Sequence, residues 1–300
     1  MSGVETSSNS QTVSSGPLKK LIVTADDLGL TRRINEAIAK AHREGIVTTA
    51  SLMVNGGAFE SAIETLCANP LLDVGLHLNL TEGRPATPPV GIPSLANSLG
   101  FLYHHPFGLM VALLRGKVRP ADLEREIRAQ LQKALDAGAQ ISHVDGHKHV
   151  HVVPKVFRIV CRVAPEYGVR AIRSTVERVP RLKSLSTQMA KQYLFGKALS
   201  GAFVLAQSGN GRRSLKTPRR LYGITQTGFL DLQTFAEIIS RMEIGISEVM
   251  CHPGYVDDDL RRTPTRLHFQ RERELEFLTS HEVPDLLERA GVGLATYRDL

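Results

Sequence analysis

Apolar positions along this chain alternate between two spacings. Leu18 to Thr24 is a short Leu/Ile/Val run that stops at Ala25-Asp26-Asp27-Leu28-Gly29, which reads as a strand ending in a polar loop. Thr31 then caps a helix whose apolar residues Ile34, Ala37, Ile38 and Ala41 recur at helical spacing, and Gly45 suits its C-terminal stop. The alternation continues. Ile46 to Val54 is β-rich, Ala58 to Ala68 helical, and Asp73 to Leu80 returns to strand. Pro120 opens a helix carrying Leu123, Ile127 and Leu131, and Gly138 closes it before a strand near Ala139 to Val144. A helix over Pro154 to Tyr167, a strand at Val169 to Ile172, a helix over Leu232 to Met242, a strand at Ser247 to Met250 and a last helical region before Gly293 to Thr296 follow. About seven strand-helix units imply an α/β fold, a variant (β/α) barrel. The first strand leads into ADDLG and not GxGxxG, so a dinucleotide or P-loop fold is disfavoured.

Composition narrows the class further. Three hundred residues at 42% apolar and 22% charged can bury a full core. Cys67, Cys161 and Cys251 lack CxxC spacing, and Cys67 and Cys161 sit in apolar helical patterns, which predicts buried reduced thiols. Residues 1–17 are polar and Ser/Thr-rich and are expected to form a disordered tail ahead of a single domain over 18–300. The longest charge-free apolar stretches, Phe101 to Leu114 and Ala198 to Gly211, run 14 residues each. A spanning helix needs roughly 20. The expected location is therefore the cytoplasm, or the periphery of the inner membrane face.

The net charge of +7 is unevenly placed. No acidic residue lies between Glu177 and Asp231, and ten of the 37 basic residues fall from Arg178 to Arg220, leaving 27 against 30 acidic elsewhere. This basic insertion, at about 174–220, is interleaved with Met189, Tyr193, Leu194, Phe195 and Phe203. A solvated lid is the first expectation and an anionic membrane surface the second; nucleic acid is not an expected partner.

In a parallel barrel, chemistry belongs on the loops at the carboxyl ends of the strands. Those ends are polar here: Asp26-Asp27, His77 within Gly75 to Asn79, the run His143 to His151, and His252 within Met250 to Tyr255. An Asp pair after a strand is as often a helix-capping loop, and a lone His77 between leucines is more often a core histidine. The histidine run is harder to dismiss. An extended chain places His143, Asp145, His147, His149 and His151 on one face, which would be costly to bury without a metal or partner. Two imidazoles and a carboxylate from three strand ends make an open site for a divalent ion, with Asp26 available as a base and His252 as a proton donor for metal-assisted hydrolysis.

The segments TADDLG, HREGIVTTASLMVNG, VGLHLNLTEGRP, HVDGHKHVHVVP, EVMCHPGY and YRDL, in that order from about residue 19 to 300, resemble the YdjC-like family of carbohydrate deacetylases. The resemblance implies a variant barrel that removes acetyl from N-acetylated sugars such as chitooligosaccharides with one divalent metal ion. By it, Asp27, His77 and His147 match the ligands, Asp26 the base and His252 the proton donor. Asp145 is then expected to hold an imidazole from behind, and His149 and His151 to line the sugar pocket, with His151 a competing ligand. Zinc is favoured by ligand type, with magnesium the alternative. His104 and His105 match nothing in the family and are expected at the surface. The stretch AHREGIVTTASLMV is most similar to the hopanoid-biosynthesis-associated branch, which implies an N-acetylglucosamine unit on a polycyclic lipid as substrate and gives the basic insertion a membrane to rest against. The alternatives are soluble chitooligosaccharides as substrate, or a non-catalytic basic module binding membrane or nucleic acid.

Overall fold

The structure is a computed structural model, described here for residues 18–178, 186–209 and 215–300. The expected N-terminal tail and two parts of the basic insertion lie outside the described residues. Eight parallel strands are present: β1 (Lys19–Leu28), β2 (Thr49–Leu52), β3 (Asp73–Leu78), β4 (Ile141–Gly146), β5 (Ala171–Ile172), β6 (Leu221–Tyr222), β7 (Gly245–Cys251) and β8 (Val292–Ala295). Their helices are α1 (Arg32–Arg43), α2 (Phe59–Ala68), α3 (Pro106–Leu114), α4 (Pro120–Asp136), α5 (Pro154–Val163), α6 (Thr187–Ser208), α7 (Leu232–Ser240), α8 (Asp258–Arg262), α9 (Phe269–Leu278) and α10 (Glu282–Arg289).

The sheet runs β5-β4-β3-β2-β1-β7-β6. The short β8 lies beside the first residues of β1, Lys19 to Ile22, below the point where β2 takes over the same edge. The ends of the path curl together. Ile172 N–H donates to the Lys216 carbonyl at 2.9 Å, and Leu221 N–H to that of Val176 at 3.1 Å. The α/β barrel read from the periodicity is thus present, with all strand carboxyl ends on one rim.

The interior departs from the usual layers of branched aliphatics. Along β1, Leu21, Val23 and Ala25 join the main core, whereas Ile22 belongs to a separate cluster with Ala171, Ala295 and Tyr297. Thr24 and Asp26 follow Ile22 at the strand period of two, and Asp26 joins, through Arg173, a buried set of Asp145, Glu248, Ser51 and His77. The middle of the barrel is therefore a polar network. Gly75 permits it: a Cβ there would stand 2.1 Å from the His143 ring.

Several boundaries differ from expectation. β1 does not stop at Ala25 but continues through both aspartates to Leu28, slipping register between Ala25 and Leu28. The expected helix over Pro154 to Tyr167 ends at Val163 and closes with a tight 3₁₀ turn. Cys67 is exposed, because α2 buries only its Phe59–Ala62 side; Cys161 and Cys251 are buried as expected. Among the described residues, no helix is long and apolar enough to cross a membrane.

Candidate active site

The register slip explains how two neighbouring aspartates serve one cavity. Consecutive side chains on a regular strand face opposite ways, but Asp27 adopts φ 72° within the irregularity, which re-aims its carboxylate. Asp26 receives two hydrogen bonds from Arg173, Nη2 to Oδ1 at 2.7 Å and Nη1 to Oδ2 at 2.8 Å. Asp27 is gripped differently. Arg271 Nη2 donates to its Oδ2 at 2.6 Å, while Oδ1 faces His147 Nδ1 at 3.2 Å and His77 Nε2 at 3.6 Å. Burial alone would raise the Asp27 carboxyl, yet Arg271 and His147 hold it well below the usual carboxylate range.

His77 projects from the end of β3. Its Nδ1 donates to Asp145 Oδ1 at 2.9 Å, and Asp145 Oδ2 meets Ser51 Oγ at 2.7 Å and Arg173 Nη1 at 2.6 Å. That partner assigns a ring hydrogen to Nδ1 and leaves Nε2 as the atom turned toward Asp27. Asp145 thus stands behind the imidazole of His77.

The expected single face of odd-numbered residues is not formed. The strand ends at Gly146, and Lys148 and His149 both take left-handed conformations (φ 52° and 58°) in the tight turn His147–Val152. The turn separates the histidines. His147 reaches Asp27 through Nδ1 and Glu82 Oε2 through Nε2 at 3.3 Å. His149 lines the cavity, its ring 6.3 Å from Phe195 of α6. His151 is fully buried away from the cavity lining and is not brought to Asp27, so it does not compete as a ligand here. His143 lies deeper, stacked 3.5 Å from the Tyr297 ring, and burial pushes its imidazole down to about 3.

His252 follows β7, the strand beside β1 on the same rim, with Nε2 4.0 Å from Asp26 Oδ2. Burial outweighs the attraction of Asp26 and Asp27 and lowers its imidazole to about 4. Glu274 stands behind it: Oε2 accepts the His252 backbone N–H at 2.6 Å, and Oε1 accepts that of Gly228 at 3.1 Å. Burial raises Glu274 to about 7 against these two donors and Arg271.

Arg173, Arg271, Glu274 and Glu82 were not singled out by sequence reasoning. The α9 pair had a signal. Leu275 and Leu278 extend N-terminally at helical spacing to Glu274 and Arg271, so a core stripe carries two charges, and all four are buried.

Asp26, Asp27, His77, His147, His252 and Arg271 floor a cavity of about 640 Å³ whose walls include His105 and Pro106 at the start of α3 and Gln188, Lys191, Gln192 and Phe195 of α6. His105, expected merely at the surface, therefore sits on the cavity rim. Asp27, His77 and His147 offer ligand atoms within 4.8 Å of one another. The donor set suits a divalent transition ion, because the second polar atom of each residue is already held, by Arg271, Asp145 and Glu82 respectively. Asp26, His77 and Asp145 also converge, but Arg173 occupies the space between those two carboxylates and disfavours a second cation there.

The sequence profile described as "YdjC-like protein" matches residues 20–289. A carbohydrate deacetylase of Brevibacillus brevis is 32% identical over 286 residues, covering 94% of this chain and 99% of its own. A chitooligosaccharide deacetylase of Proteus mirabilis is 34% identical, covering 93% and 98%. The crystal structure of an Enterococcus faecalis protein, provisionally described as a cellobiose-phosphate cleavage protein, superposes with a TM-score of 0.75 at 26% identity over 95% of this chain and 99% of that one.

Proposed function

The chain belongs to the YdjC-like protein family, and from that premise we propose that it is a metal-dependent hydrolase that removes the acetyl group of an N-acetylglucosamine unit carried on a hopanoid glycolipid. One observation carries the chemistry: Asp27, His77 and His147 converge on the floor of a cavity that also presents Asp26 and His252.

A divalent ion on Asp27, His77 and His147 would acidify a bound water and polarise the acetyl carbonyl. The protein supplies the proton transfers. Asp26, fixed by its two bonds from Arg173, takes a proton from the attacking water, and His252, across the cavity, gives one to the amine nitrogen as the C–N bond breaks. Acetate and a free amino sugar result. Asp145 and Glu82 hold the imidazoles in the orientation that ligation needs.

The lipid carrier is supported by what surrounds the mouth. α3 and α6 supply walls of the cavity and expose large apolar side chains, with Phe107 at 71%, Leu114 at 77%, Leu194 at 68% and Phe195 at 49% exposure. Neither helix contains an acidic residue, and Lys191, Lys197, Arg115 and Lys117 lie on or just beyond them. Such a surface suits peripheral contact with an anionic membrane. Part of the basic insertion is neutralised by an acid outside it, however, since Arg178, Arg219 and Arg220 all bond Glu243. The second reading, a soluble chitooligosaccharide, is favoured by the name of the Proteus mirabilis relative.

Acetate release from an N-acetylglucosaminyl lipid and from N,N′-diacetylchitobiose, each with a chelated control, tests all of this. Chelator-sensitive release from the lipid is the expected result. Release from chitobiose alone would discard the lipid, chelator-insensitive release would discard the metal, and silence on both substrates with zinc bound would overturn the substrate assignment.

A further inference from the structure

Among the described residues, Glu274 is one of the most deeply buried acids, 2% exposed, and its carboxylate makes no ion pair shorter than the 4.0 Å contact with His252 Nδ1. That nitrogen is itself buried without a hydrogen-bond partner. A buried acid and a buried ring nitrogen left facing each other are both costly unless a proton lies between them. The Glu274 oxygens are also fixed by backbone N–H groups on two different loops, at His252 and Gly228, so the carboxylate cannot turn away.

We infer that Glu274 and His252 act as one proton-holding pair, with Glu274 the positioning residue that aims the imidazole and resupplies its proton. This rests on the proposed role of His252 as donor to the amine. A neutral imidazole that surrenders its Nε2 proton must gain one at Nδ1, or it would be left as an anion. A small rotation of the ring shortens the 4.0 Å contact to hydrogen-bond length. The carboxyl proton of Glu274 then passes to Nδ1 as the Nε2 proton passes to the amine nitrogen, and the C–N bond breaks. The ring ends neutral and Glu274 ends as a carboxylate. The proton that Asp26 has taken from water returns through the Asp26–His252 contact and restores the starting state.

The charges facing the pair are consistent with a single shared proton. Arg271, one turn before Glu274, favours the carboxylate, while Asp26 opposes it; Asp26 and Asp27 favour a charged imidazole, while Arg271 and His77 oppose it. Burial raises Glu274 to about 7 and lowers His252 to about 4, so near neutral pH the proton resides on the carboxyl side, in a coupled titration of the two.

The test is a double-mutant cycle of Glu274→Gln and His252→Ala in the metal-repleted full chain, read as kcat, KM and pH profile on whichever of the two substrates above releases acetate. Glu274→Gln should lower kcat by about 10- to 100-fold with little change in KM, and should move the alkaline limb of kcat to lower pH, because the ring alone loses its proton earlier. In the His252→Ala background the same change should cost less than about twofold. An equal loss in both backgrounds would make Glu274 a purely structural clamp and overturn the inference, as would a wild-type kcat and profile for Glu274→Gln. Full turnover by His252→Ala would sink the donor role and the inference together, whereas an inactive His252→Ala beside a wild-type Glu274→Gln sinks the inference alone. Should Glu274→Gln fail to fold, Glu274→Asp keeps the carboxyl while withdrawing it from the ring; an intermediate kcat at unchanged KM is expected, and wild-type kcat would refute the pairing.

Discussion

Replacing Arg173 with methionine probes the centre of the barrel. The guanidinium is fully buried and touches three carboxylates: Asp26 through two hydrogen bonds, Asp145 at 2.6 Å and Glu248 at 2.9 Å. Methionine fills a comparable length of the cavity but leaves those acids without their cation. Removing one partner of a buried ion pair costs about 3–5 kcal/mol, mostly from the stranded charge. The pH dependence follows from the same contacts. Asp145 is held well below the usual carboxylate range because Arg173 and His77 outweigh the burial that would raise it, and Glu248 is already raised by burial. Without Arg173 both move upward, so the native variant binds protons that its unfolded chain releases, and its stability falls as pH rises. Urea unfolding of wild type and variant at about pH 5.5 and pH 8 should show a gap of about 3–5 kcal/mol at the higher pH that narrows at the lower. A loss below about 1 kcal/mol, or a gap that does not change with pH, would refute the view that Arg173 neutralises this network.

Gly75→Ala should cost about 1–3 kcal/mol by forcing a methyl against the His143 ring, and adding His143→Ala should recover most of it; unchanged thermal stability in the single variant would contradict the packing. Burial opposes charge on His147, yet its bonds to Asp27 and Glu82 prevail and push it up to about 9, so the proposed ligation would displace a proton at neutral pH. The apparent log affinity for zinc should therefore rise by about one per pH unit between about pH 6 and 8, as calorimetry in buffers of different ionisation heat would report; binding without proton release would remove His147 from the ligand set. Phe195→Ala, which trims an exposed ring on the cavity wall, should lower kcat/KM for the lipid-borne sugar while leaving N,N′-diacetylchitobiose within about twofold, and equal losses on both would place Phe195 against the sugar instead.

What the sequence made legible were the residues whose placement depends on strand ends alone. Asp26, Asp27, His77, His147 and His252 each follow a short apolar run, and a parallel sheet delivers all such positions to one rim. The failures have local or long-range causes. The face of odd-numbered histidines presumed an extended chain past Gly146, and two non-glycine residues in left-handed conformation break it, which no propensity signals. Arg173 reads as an ordinary basic residue after a short strand. Its burial depends on Asp26 and Glu248, 147 and 75 positions away. Asp26 and Asp27 were visible as a pair, but not as parts of an irregular strand.

That irregularity lets two chemically identical neighbours hold different positions in the proposed reaction. Arg173 binds both oxygens of Asp26, fixing the carboxylate on the side that faces His252. Arg271 binds a single oxygen of Asp27 and so leaves Oδ1 to the two imidazoles. Exchanging the environments would need Asp27 to return to the ordinary strand conformation, where its side chain would turn away from the cavity. The proposed base and the proposed ligand, one residue apart, are therefore distinguished by which arginine each meets. The two arginines come from two different elements, the segment after β5 and helix α9, so the difference between Asp26 and Asp27 is set by the tertiary fold and not by either side chain.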